Sequence, residues 1–183
     1  MNIRFKKVND KAVTPFRKHQ WDAGVDLTAI SVEYDEEDDV LVYDTGIAVE
    51  IPPGYVGLIA PRSSIASMDL TLSNSLGIID ADYRGTIKAK FRVNSQYDAA
   101  DIKDPEFQDA LNNGKFMIFD YTDVNDPDNL EKREYWELAG IYKPGDRVCQ
   151  LIIVPIPPTT YIEVEELSKT ERGEGGYGST GLN

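Results

Sequence analysis

The chain has 183 residues, a formal net charge of −13, one cysteine and one histidine. That length suits about one domain with its own core; Cys149 by itself excludes a disulfide framework, His19 by itself excludes a multi-histidine metal site, and no apolar run is long enough to span a membrane. The charge argues against a nucleic-acid or anionic-membrane surface, although it divides unevenly into −6 over 33–39, −8 over 98–137 and +1 elsewhere.

The first ten residues carry Arg4, Lys6 and Lys7 with no apolar stretch. That speaks against a secretory signal and for a cytoplasmic protein. His19 falls in a loop and reads as a surface residue. The acidic run 33–39 reads as a solvated loop. Short apolar runs at 40–42, 47–51 and 55–60 read as strands, with Pro52-Pro53-Gly54 as a turn between the last two. A further turn is marked by Ala81-Asp82-Tyr83-Arg84-Gly85. The clearest alternation covers 87–93: Ile87, Ala89, Phe91 and Val93 share one face, and Lys88, Lys90 and Arg92 the other. Many short strands at this spacing predict an all-β barrel or jelly roll.

Residues 95–143 interrupt that pattern. Asp104 is placed to cap a helix that begins with Pro105. Phe107, Ala110 and Leu111 follow at helical spacing, and Gly114 is placed to end it. A strand is expected over 115–121 and a turn-rich loop over 123–129. The segment reads as an insertion on a β core. It is either a solvated loop that adds only solubility or an acidic docking face for a regulatory protein. Beyond the turn Lys143-Pro144-Gly145-Asp146, residues 148–155 form the last expected strand. Cys149 within it reads as a small buried hydrophobe. Residues 173–181 hold five glycines in nine positions. They offer little apolar area against a large ordering entropy. They are therefore either a frayed end or a segment that orders around a ligand, with backbone N–H groups suited to phosphate.

Five segments occur in a fixed order. They are Ala23-Gly24-Val25-Asp26-Leu27, then Pro61-Arg62-Ser63-Ser64-Ile65-Ala66, then Gly77-Ile78-Ile79-Asp80 continuing through Ala81-Asp82-Tyr83-Arg84-Gly85. After them come Gly145-Asp146-Arg147-Val148-Cys149-Gln150-Leu151 and the glycine-rich end from Arg172 to Gly181. Together they resemble the five motifs of the trimeric dUTPase family, in the phage and bacterial form with an insertion between the third and fourth motifs. The resemblance implies a distorted jelly-roll β-barrel with a small α/β insertion. It also implies a single domain over 1–183, with 95–143 inserted and 168–183 a flexible arm. The activity implied is Mg²⁺-dependent hydrolysis of dUTP to dUMP and pyrophosphate, which lowers dUTP and supplies dUMP for thymidylate synthesis. Three chains would form sites at their interfaces, each closed by a neighbour's arm.

By the same resemblance, Asp80 is the base that activates the attacking water. Without it, Asp80 reads as a turn aspartate capping its own backbone rather than as a base. Tyr83 would pack under the deoxyribose and leave no room for a 2′-hydroxyl; otherwise it is an edge aromatic. Uracil would be read by the backbone of a hairpin spanning Asn74 to Tyr83, with Gly77 permitting close approach or forming a simple bulge. Arg62, Ser63 and Ser64 would bind the phosphate chain. Gln150 is a further phosphate contact or a satisfied core amide. Arg172, Gly178, Ser179 and Thr180 would hold the terminal phosphates, and Tyr177 would stack on uracil. Asp26 would meet Mg²⁺ through water or serve as a structural aspartate. The alternative enzyme of similar fold is a dCTP deaminase. It needs a glutamate on the strand after the third motif, where 87–93 has no acid.

Overall fold

The computed structural model describes residues 1–94, 105–120 and 134–175, with the backbone only for 105, 116–120 and 134–139. Among the described residues the chain forms β1 Arg4–Lys7, β2 Val25–Thr28, β3 Ser31–Asp35, β4 Val40–Asp44, β5 Ile47–Glu50, β6 Tyr55–Pro61, β7 Leu70–Leu72, β8 Gly77–Ile79 and β9 Lys88–Val93. The helix α1 Pro105–Asn112 follows, then β10 Lys115–Asp120, β11 Glu134–Ala139 and β12 Arg147–Pro155. Alternation is what makes β9 a strand: Ala89 and Phe91 are buried and Lys88 and Arg92 exposed. β6 and β12 read as longer apolar runs because both lie inside a sheet.

Two four-stranded antiparallel sheets, ordered β2-β12-β6-β8 and β3-β4-β9-β7, face each other as a distorted jelly roll. The core between them includes Leu27, Leu41, Tyr43, Ile47, Ile59, Phe91, Val148 and Leu151. Tyr43 meets Phe91 edge-on with centroids 5.6 Å apart. Its hydroxyl donates to the Tyr142 carbonyl at 2.9 Å, so burial leaves no polar atom of that side chain unsatisfied. Burial shifts the Tyr43 hydroxyl towards the neutral form.

The acidic run is not simply a loop. Its first three residues belong to β3, which pairs with β4 from Ser31↔Asp44 to Asp35↔Val40, and only 36–39 turn. Asp39 takes a positive φ of 53° there and accepts from the Tyr34 hydroxyl at 2.6 Å. Lys90 reaches across from β9 to Asp38 at 2.6 Å and Asp35 at 3.3 Å, which offsets part of the charge repulsion that favoured a loop.

The insertion also departs from the solubility-only reading. α1 ends as its spacing predicts, with Gly114 at φ 80° and its N–H donating to the Leu111 carbonyl. However, Phe107 is 2 % exposed and Leu111 fully buried, so this turn of chain is part of the core. The Phe107 ring meets Tyr34 of β3 at 5.9 Å, and Gln108 Nε2 donates to the Val32 carbonyl at 3.2 Å on the same strand. β10 pairs with β11 from Lys115↔Ala139 to Asp120↔Glu134. The cap at Asp104 and the loop 123–129 lie outside the described residues. Past β12, residues 156–175 have no regular structure and expose Tyr161, Ile162 and Leu167. Among the described residues no helix is long and apolar enough to cross a membrane.

Candidate active site

β8 is the outer strand of its sheet. It pairs with β6 through Ile59↔Gly77, Leu58↔Ile78 and Gly57↔Ile79, and its other edge meets no strand among the described residues. The expected uracil-reading hairpin over 74–83 is therefore a single edge strand between two turns. The chain leaves β7 in one sheet and enters β8 in the other, with Ser75 at a positive φ of 57°. Among the described residues that edge is unpaired, which leaves backbone donors and acceptors open to a ligand. Gly77 stands in register opposite Ile59 and is no bulge. A Cβ on it would stand 3.0 Å from the Ile59 Cβ, so a side chain here would make the strands give by a few tenths of an ångström.

A cleft of about 730 Å³ opens beside this edge. Asn74, Gly77, Asp80 and Tyr83 line it over an apolar floor of Ile59, Leu72, Ile87 and Ala89. Asp80 follows the last residue of β8 and opens a turn in which the Tyr83 N–H donates to its carbonyl at 3.1 Å. Its side chain is exposed and lines the cleft. The Tyr83 hydroxyl donates to the Thr86 carbonyl at 3.2 Å, which fixes the ring. That ring lies over Gly85, where an added Cβ would stand 2.6 Å from Cζ. The family resemblance singles out Tyr83 but gives no role to Gly85, whose nearest neighbours are atoms of that ring.

Arg62 stands in extended conformation just past β6, before a short 3₁₀ turn over Ser63–Ser67. Its Nε donates to Asp26 Oδ1 at 2.9 Å, and its Nη1 to the Arg147 carbonyl at 3.2 Å and to Ser64 Oγ at 3.4 Å. Arg147 Nη1 donates to the other Asp26 oxygen at 3.0 Å. Ser64 Oγ also lies 2.8 Å from the Tyr142 hydroxyl. Gln150 sits opposite both Asp26 and Ala60, and its Nε2 donates to the Pro61 carbonyl at 2.9 Å. A Cβ on Gly24 would meet Gln150 Oε1 at 3.0 Å, so Gly24 makes room for this amide. Cys149, buried beside them, has its thiol pushed up to about 12 by desolvation, as an inert hydrophobe would.

Asp26 does not fit direct metal coordination. Each of its oxygens already accepts from an arginine, and two guanidinium groups offset its charge. Among the described residues no three carboxylate, histidine or cysteine side chains gather as a metal site. Arg172 is exposed and donates through Nε to the Gly175 carbonyl at 2.8 Å. Tyr177, Gly178, Ser179 and Thr180 lie outside the described residues.

The structure thus gathers two groups of expected site residues at separate places. Ile79 faces Gly57, so Asp80 stands past one end of the pairing while Arg62 follows the other end of β6. At about 3.3 Å per strand residue, the two side chains are attached roughly 20 Å apart in one chain.

Comparison with known proteins adds to this geometry. The family model described as dUTPase matches residues 10–103 and 140–181. The deoxyuridine 5′-triphosphate nucleotidohydrolase of Clostridium kluyveri is 32% identical over 182 residues, 99% of each chain. That of Corynebacterium diphtheriae is 36% identical over 183 residues, 99% of this chain and 93% of the relative. Among solved structures, the dUTPase of Staphylococcus bacteriophage 80alpha with dUpNHpp superposes with a TM-score of 0.70 at 30% identity, covering 99% of both chains. A mutant of the dUTPase from phage phi11 of S. aureus, described with a structural Mg(II) ion, gives a TM-score of 0.60 at 26% identity over 91% of this chain and 98% of that one.

Proposed function

The chain belongs to the dUTPase family, and from that premise we propose how its residues share the work of the reaction. The activity is hydrolysis of dUTP to dUMP and pyrophosphate. The family match favours it over the deaminase alternative. Asp80 takes a proton from a water molecule, whose oxygen attacks the α-phosphorus. The bond from that phosphorus to the bridging oxygen breaks, and pyrophosphate leaves in line. Uracil pairs with the open edge of β8 near Asn74 and Gly77. There, backbone groups left unpaired by the wrong base penalise it. Tyr83 lies against the deoxyribose and excludes a 2′-hydroxyl.

The phosphate chain is held by Arg62, Ser63 and Ser64, with Gln150 beside them. Arg172, Gly178, Ser179 and Thr180 close over it, and Tyr177 covers the base. The family is trimeric. A triphosphate with its α-phosphorus at Asp80 is too short to reach Arg62 of the same chain across roughly 20 Å of strand. Each site is therefore built from more than one chain. The family uses Mg²⁺. Such an ion keeps several waters and binds substrate phosphates rather than a protein cage, which agrees with the absence of a carboxylate cluster among the described residues. A cytoplasmic location suits a free-nucleotide substrate. A protein partner for the insertion is favoured by its net charge of −8 over 98–137; with Phe107 and Leu111 of α1 already packed into the core, that partner would meet other residues.

The observation that carries this reading is Asp80 at the end of β8, in one cleft with Asn74, Gly77 and Tyr83. Asp80→Asn is expected to bind dUpNHpp about as well as the parent while releasing no pyrophosphate from dUTP. Parental turnover in that variant would refute the assignment.

A further inference from the structure

We propose that Asp26 is a positioning residue which, braced by Arg147, holds Arg62 by one side and turns the rest of its guanidinium towards the phosphate chain. The proposal rests on the reading of Arg62 as a phosphate ligand.

Three features of the fold build this arrangement. The first is a β-bulge. β12 pairs with β2 through Gln150↔Asp26 and Cys149↔Leu27, but the next pair is Arg147↔Thr28, so Val148 is the extra residue. In a regular strand Arg147 would share the face of Cys149, away from Asp26. The bulge moves it opposite Thr28, onto the face that Asp26 occupies. The bulge thus makes the 3.0 Å contact between Arg147 and Asp26 possible.

The second feature is a support on the far side of Arg147. Its guanidinium carbon lies 5.4 Å from the centre of the Phe16 ring. Phe16 is tied to the same backbone that carries the carboxylate, through Phe16 N–H to the Asp26 carbonyl at 3.0 Å and Asp26 N–H to the Phe16 carbonyl at 2.7 Å. The ring and Asp26 therefore hold Arg147 between them.

The third feature is how Arg62 is used. Asp26 takes Nε, and the Arg147 carbonyl and Ser64 take Nη1. Among the described residues Nη2 has no hydrogen-bond partner, and it is left for an anion. The side chains of Arg62 and Asp26 are 24% and 20% exposed, so the pair is less screened than a surface ion pair. A guanidinium fixed in this way gives up less freedom when it takes a phosphate oxygen than a mobile one would. This effect needs no metal, which separates it from a role for Asp26 in holding Mg²⁺.

The test is binding of dUpNHpp and of deoxyuridine to the full-length protein, each measured in EDTA and again with Mg²⁺, with thermal stability followed in parallel. Arg62→Gln tests the underlying reading. Unchanged dUpNHpp affinity would refute Arg62 as a phosphate ligand. Asp26→Asn tests the clamp and is expected to weaken dUpNHpp roughly tenfold while leaving deoxyuridine unaffected. The double variant should bind no more weakly than Arg62→Gln, since both changes remove one interaction. If Arg62→Gln weakens dUpNHpp but Asp26→Asn does not, or does so only when Mg²⁺ is present, the clamp is overturned. Should Asp26→Asn fail to fold, Arg147→Gln removes the brace alone. A selective loss of dUpNHpp affinity in that variant supports the proposal, and equal loss for the nucleoside, or none for either, overturns it.

Discussion

A methyl group on Gly85 would stand 2.6 Å from Cζ of Tyr83, yet Gly85 has no positive φ that would strain an alanine backbone. Gly85→Ala is therefore expected to act through the tyrosine. The ring must tilt, its bond to the Thr86 carbonyl is lost, and the sugar pocket widens. The kcat/KM for dUTP should fall roughly tenfold, with a smaller fall for UTP, so that discrimination between them narrows. Pyrophosphate release from the two nucleotides side by side measures this. A second residue-scale expectation concerns Asp35, whose carboxyl is held below the ordinary range chiefly by the Asp38 N–H, and less by Lys90. Because that pKa is depressed, the stabilisation is present above about 3.9 and is lost as pH falls through the lower folded value. A carboxyl titration by NMR should find Asp35 low in the parent and still low in Lys90→Met, since the larger cause remains.

At the scale of elements, α1 has two tasks on β3. It buries Phe107 and Leu111, and Gln108 occupies the Val32 carbonyl on the strand's open side. A free strand edge is a template for unwanted pairing, and a helix laid beside it removes the hazard. Phe107→Ala is expected to cost about 3 kcal/mol of stability, read by denaturant unfolding, with the kcat of the folded protein retained. No surface loop would give such a loss. The bulge in β12 shows the same scale from the other side. One extra residue, Val148, decides which face Arg147 occupies, and no alternation pattern in a nine-residue apolar strand announces it.

For the whole molecule, the separation of Asp80 from Arg62 along β6 decides how the site is assembled. If each site takes Asp80 from one chain and Arg62 from another, two inactive variants should complement each other. Refolding Asp80→Asn with Arg62→Gln in equal amounts yields sites with both groups intact in about a quarter of cases, by random assembly of a cyclic oligomer. About a quarter of parental activity is therefore expected from the mixture and almost none from either variant alone. Mixtures that stay inactive would mean that each site lies within one chain.

Local chemistry was enough to read much of this from the sequence. Alternation marked β9, glycine marked the end of α1, and the ordered motifs around Asp26, Arg62, Asp80 and Gln150 marked the family. Each of these signals is contained in neighbouring residues. The strand over 33–35 was hidden because its acidic side chains suggested solvent, and Lys90, fifty-five residues away from Asp35, offsets part of that charge. The burial of α1, the pairing of Asp26 with two arginines and the open edge of β8 were hidden for a related reason. Partners, register and edges are set by which strands meet in space, and that contact between distant parts of the chain exists only in the folded protein.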